Sequence, residues 1–335
     1  MGPESCFDFV KLPKTDLHVH LEGTLEPEML FRLAGRNHIP LPWKSPAMLR
    51  KACRFRDLAG FLAIYYKGCE VLVTEQDFYD LARAYLERAA ADGVVHTEFY
   101  FNPQLFCRES TPLAAIMRAI FCAMDEMRDR ISSFYMGTVM RTRPVEEALR
   151  ALDELAPWYD RIVAFGMGGA ENGNPPSRFQ RYFDACRERG FRTCVHAGEE
   201  GPAAYVREAV ALGIDRIDHG NAAIQDPELV RLLAERRIPL TMCPISNLRL
   251  NVVNELSGHP LKRMLSRGVC VTVNSDDPAY FLGYASDNWA AVHRALDLSG
   301  AELRQLALNG VEASFLPEAR KAVLREKIKR VLPSA

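Results

Sequence analysis

The chain has 335 residues, 48% of them hydrophobic and 25% charged, with a formal net charge of −1 at pH 7. That length is ample for a large buried core, and the composition is that of an ordinary globular protein. A charge so near zero makes no electrostatic case for a nucleic-acid or anionic-membrane partner, and the short basic run at residues 325–330 reads as the solvated end of a helix.

Nine cysteines occur, at Cys6, Cys53, Cys69, Cys107, Cys122, Cys186, Cys194, Cys243 and Cys270. The number is odd, no C-x-x-C is present, and several lie within apolar runs. Reduced, mostly buried thiols in a cytoplasmic protein are therefore expected. Residues 1–10 carry two acids and no long apolar stretch, so a signal peptide is not expected. No segment approaches the roughly 18 continuous apolar residues of a membrane span.

In chain order, short apolar, β-branched runs alternate with amphipathic helical patterns. Strands are expected at 15–20, 94–101, 133–140, 162–167, 192–196, 216–218, 239–242 and 269–274. Helices are expected at 75–91, 145–155, 178–188, 203–212 and 226–235. Eight strands separated by helices match a (β/α)8 TIM barrel. Residues 26–66 are too long for one crossover and read as extra helices over one mouth of the barrel. No linker, repeat or composition shift interrupts residues 1–335, so a single metal-dependent hydrolase domain is expected.

Four segments carry chemistry. The first is Asp16-Leu17-His18-Val19-His20, where a strand's period of two puts His18 and His20 on one face. His196-Ala197-Gly198-Glu199 follows the fifth expected strand, and Asp218-His219-Gly220 follows the sixth. Asn274-Ser275-Asp276-Asp277-Pro278 closes the last. Each segment alone is more commonly a solvated loop or a packed core residue. Together they all close barrel strands, and that face carries the active site in this fold. Two adjacent buried acids repel unless a cation joins them. His18, His20, His196 and Asp276 make a nitrogen- and oxygen-rich set that suits zinc, and also other divalent metals. Glu199 stands three residues beyond His196, beside the metal and suited to shuttling a proton. His219 could hydrogen-bond the attacking oxygen, and Asp277 could orient water or contact the substrate. His38, His96, His259 and His293 lack such company and are read as structural. His96-Thr97-Glu98 imitates half of a cytidine-deaminase signature, but no P-C-x-x-C follows it.

These residues resemble the adenosine/adenine deaminase family of the amidohydrolase superfamily. The resemblance rests on residues 12–24, His196-Ala197-Gly198-Glu199, Arg216-Ile217-Asp218-His219-Gly220, Cys243-Pro244-Ile245-Ser246-Asn247 and Asn274-Ser275-Asp276-Asp277-Pro278, in family order over nearly the whole chain. It implies a TIM barrel with one zinc per chain, held by His18, His20, His196 and Asp276. It implies that Glu199 protonates purine N1, that His219 positions the attacking oxygen, and that Asp277 contacts N7. Glu22 and Gly23 would shape the pocket. Within the family, Glu199-Glu200-Gly201-Pro202 and Asp277-Pro278-Ala279-Tyr280-Phe281 are closer to the adenine deaminases. The implied reaction is conversion of adenine to hypoxanthine and ammonia. A larger 6-aminopurine, such as an N6-substituted adenine or a nucleoside, is the alternative substrate.

One segment departs from the pattern. Adenine deaminases tend to carry an acid and two hydroxyl residues before a glutamate after the fourth strand, where this chain reads Gly168-Gly169-Ala170-Glu171. Gly169 and Glu171 are expected to face the substrate, with Glu171 meeting the N–H edge of a free base. Two other functions compete. A two-metal amidohydrolase would need a lysine closing a middle strand, and none does so here. A non-catalytic scaffold would be expected to have lost a ligand or Glu199, and none is missing.

Overall fold

The computed structural model describes residues 7–108 and 111–332; Cys6 and the start of the 1–10 stretch lie outside the described residues. Eight parallel strands follow one another around a barrel: β1 (Lys14–His20), β2 (Val94–Phe101), β3 (Ser132–Met140), β4 (Ile162–Gly168), β5 (Arg192–Ala197), β6 (Arg216–His219), β7 (Leu240–Met242) and β8 (Val271–Val273). Helices fill the connections, so each strand buries both faces, as parallel strands require. The architecture is the expected (β/α)8 TIM barrel.

β8 is shorter than its apolar run suggested. The Val269 N–H still bonds to Met264 O at 3.1 Å, which ties it to the preceding helix. Beyond the strand, a side chain replaces the ladder. Leu17 N–H donates to Asn274 Oδ1 at 2.9 Å, and Ser275 N–H donates to Asp16 Oδ1 at 3.1 Å. Backbone pairing then resumes, with His20 N–H on Asp276 O at 3.0 Å and Asp276 N–H on His18 O at 2.8 Å. The join between first and last strand therefore runs through the Asp16–His20 and Asn274–Asp277 motifs themselves.

The long segment after β1 forms helices Pro27–Arg36, Pro46–Ala52 and Leu58–Cys69. Asp57 caps the third by accepting from Gly60 N–H at 2.8 Å. Its apolar face carries Leu58, Phe61, Leu62, Tyr65 and Tyr66, which wall the cavity at the barrel mouth. Helix Glu75–Ala91 begins with a capping box between Thr74 and Asp77. The basic run ends helix Glu318–Val331. Among the described residues no helix is long and apolar enough to cross a membrane.

Inside the barrel, Tyr100, Met136, Ala164 and Cys194 from four successive strands form one buried cluster. Next to it lies the pair Arg216–Glu98, with both side chains fully buried. Arg216 also donates to Leu17 O at 3.1 Å and Ala313 O at 3.2 Å. His96 lies 3.1 Å from Glu98, so this imitation of a deaminase signature is a structural strut. Burial alone would raise the Glu98 carboxyl, but Arg216 and His96 outweigh it and hold it below the usual range. Removing one member of such a pair strands the other charge. Glu98→Ala should therefore lower unfolding free energy in urea by about 3–5 kcal/mol; a loss below about 1 kcal/mol would mean the arginine finds another partner.

Candidate active site

At the C-terminal mouth, β1 contributes His18 and His20, β5 contributes His196, β6 contributes His219, and Asp276 follows β8. His219 and Asp276 adopt left-handed backbone angles, with φ of 62° and 64°. Non-glycine residues rarely sit there, and such strain collects at functional sites.

The ring nitrogens converge. His18 Nε2 and His20 Nε2 lie 3.1 and 3.2 Å from His196 Nε2, and both lie 3.6 Å from Asp276 Oδ1. The opposite ring edges are committed outward. His18 Nδ1 faces the Thr241 carbonyl at 3.3 Å, which can only accept, so the proton sits on that nitrogen. His196 Nδ1 faces Asp218 Oδ2 at 3.3 Å. Asp218 is held in turn by Tyr100 Oη and Thr241 Oγ1, each donating at 2.7 Å. Burial, with His196 beside it, pushes the His20 imidazole down to about 3, and burial lowers His18 as well. Three Nε2 atoms and one carboxylate oxygen thus crowd together, with contacts of 3.1–3.6 Å among them, and a three-nitrogen, one-carboxylate set is a good zinc donor set. The residues present therefore fit a divalent metal.

Around this cluster lies a cavity of about 640 Å³, lined among others by Glu22, Gly169, Glu199, His219 and Asp277. Glu199 Oε2 is 3.5 Å from His219 Nε2. Burial, reinforced by Asp276, Glu171 and Glu200, pushes the Glu199 carboxyl well above the usual range. Burial and then Asp276 do the same to Asp277, whose Oδ1 has no hydrogen-bond partner. A Cβ on Gly23 would fall inside the Asp277 carboxylate, so only glycine leaves that side chain its place.

The structure brings His18, His20, His196, Glu199, His219, Asp276, Asp277 and Gly169 into one site. Glu171 is the exception and corrects the expectation that it meets the substrate. Its carboxylate accepts the backbone N–H groups of Gly198, Glu199, Glu200 and Gly201 at 2.5, 2.9, 3.0 and 2.9 Å. With its oxygens engaged in this way, it shapes the loop that carries Glu199. Asp218 and Thr241 were not assigned roles from sequence, although Asp218 lies within a segment already singled out. His259, read as structural, is buried and bonded to Asn247 at 3.1 Å.

Comparison with known proteins agrees with this geometry. The adenosine deaminase family model matches residues 13–331. The chain belongs to the adenosine deaminase family. A family relative, the adenine deaminase of Rhodopseudomonas palustris (strain BisB18), is 54% identical over 319 residues, covering 94% of this chain and 93% of the relative. The crystal structure of adenine deaminase from Arthrobacter aurescens superposes with a TM-score of 0.93 at 42% identity, covering 96% of this chain and 100% of that one. An amidohydrolase from Burkhoderia ambifaria, solved with bound zinc, gives a TM-score of 0.89 at 30% identity, covering 97% and 91%.

The Glu171 contacts generate a test. Glu171→Ala leaves four backbone N–H groups without their acceptor in a buried place. Each unsatisfied group costs about 1–3 kcal/mol before water re-enters. Amide exchange at Gly198–Gly201 should accelerate and stability should fall, whereas unchanged protection there would contradict the role given to Glu171.

Proposed function

We propose that the protein hydrolytically deaminates adenine to hypoxanthine and ammonia, with one zinc held by His18, His20, His196 and Asp276. The observation that carries this reading is the convergence of those four donors beside Glu199. Its support is the 54% identity to an adenine deaminase over nearly the whole chain. When bound, zinc supplies Lewis acidity that makes water a nucleophile near neutral pH.

The side chains divide the remaining work. Asp277 contacts N7 and sets the purine in the cavity that Gly169 helps to line. Glu199 gives its proton to N1, which makes C6 electrophilic as the water oxygen bonds to it. His219 fixes that oxygen by hydrogen bonding. The Glu199 carboxylate takes a proton from the oxygen and passes it to the amino nitrogen. It recovers the last proton as the C6–N bond breaks and the carbonyl forms. The sum is one water consumed and one ammonia released, with Glu199 restored.

Free adenine is the preferred substrate in this reading. A larger 6-aminopurine is the second reading, and one observation favours it. A further cavity, lined by Arg108, Arg143 and Ala170, shares Leu62, Tyr66, Leu105 and Met140 with the first. The small Gly168-Gly169-Ala170 segment lies along this side. We place the enzyme in the cytoplasm, because its eight described cysteines are free and six are buried.

Two measurements test the proposal. Glu199→Gln should retain zinc and lose activity about 10²–10⁴-fold, the range of a positioned acid–base group. Near-normal turnover would assign the proton transfers elsewhere. Adenine should exceed adenosine in kcat/KM; a tenfold preference for adenosine, about 1.4 kcal/mol in the transition state, would overturn the free-base reading.

A further inference from the structure

A buried chain of hydrogen bonds has a readable direction when one end can play only one part. Such a chain leads into the site from behind. The Leu261 backbone N–H, which can only donate, lies 3.2 Å from His259 Nδ1. That nitrogen therefore accepts and carries no proton. His259 is 1% exposed, and burial with Arg263 nearby lowers it to about 3, so the ring is neutral with its proton on Nε2. That proton points at Asn247 Oδ1, 3.1 Å away.

This contact settles which way the Asn247 amide faces. Its Nδ2 lies on the far side, 3.4 Å from His219 Nδ1. An amide NH₂ can only donate, so His219 Nδ1 accepts. His219 is 1% exposed, and a ring that accepts at Nδ1 is neutral. One proton remains on the neutral ring, and it is on Nε2, the nitrogen that faces Glu199.

We propose that His259 and Asn247 are positioning residues that lock His219 in the Nε2–H tautomer. His219 then meets the attacking oxygen only as a hydrogen-bond donor. Its lone pair is turned away and engaged by Asn247, so it cannot take the water's proton, and that task stays with Glu199. The inference rests on reading the site as that of a hydrolytic deaminase. Asn247 is fully buried in the helix Pro244–Arg249, so the lock is built into the short helix after β7.

Zinc-loaded protein labelled with ¹⁵N-histidine tests the lock directly. Nitrogen NMR distinguishes a protonated ring nitrogen from a bare one, and His219 should show Nε2 protonated and Nδ1 bare. Asn247→Asp keeps the shape but offers acceptors to both rings. It should invert the His219 tautomer and lower kcat for adenine at least tenfold, with KM and zinc content unchanged. A protonated Nδ1 on His219 in the unaltered protein would overturn the proposal, whatever the variant does. So would an inverted tautomer in Asn247→Asp with undiminished kcat. An unaltered protein with the expected tautomer and no action on adenine would instead overturn the assigned reaction and leave the lock standing.

Discussion

The site depends on where the imidazole protons point. Thr241 O and Asp218 face the outward edges of His18 and His196, and the inward nitrogens lie 3.1 Å from one another. Burial disfavours the charged form of His18 and His20 and so opposes relieving that crowding by protonation. The fold thus gathers a set of donors that fits a cation. Asp218 is fully buried with two hydroxyl donors, Thr241 from the neighbouring strand β7 and Tyr100 from β2.

The barrel supplies the precision. Its first and last strands meet through Asp16, Leu17, Asn274 and Ser275, one and two residues away from ligating positions. Displacing that join would move His18 and Asp276 together. Deeper in the barrel, the Arg216–Glu98 pair ties β6 to β2, and Arg216 reaches the β1 carbonyl of Leu17. Polar groups in this interior are held to one another, which suits a site whose parts come from five strands.

Much of this was legible in the residues. The H-x-H spacing reads directly as one face of a strand, and His196 and His219 stand where apolar runs end. The barrel follows from the alternation of runs, and the helices after β1 follow from a crossover too long for one helix. What was not legible depended on direction. The acid Glu171 sits in a segment expected from sequence to face the substrate, yet four N–H groups of the loop after β5 capture it. No periodicity marks His259, because its partner Asn247 lies across a loop rather than along a helix or strand. The run before β8 reads as strand from residue 269, but a bond back to Met264 delays the ladder to Val271.

Partners on the outward ring edges orient the proposed metal donors, and Asp218 is the one to remove. Zinc affinity, measured by competition with a chelator on the folded protein and on Asp218→Ala, tests that role. One zinc per chain should bind, with affinity about 10–100-fold weaker once the outward partner is gone. Equal affinity in the two proteins would contradict the account.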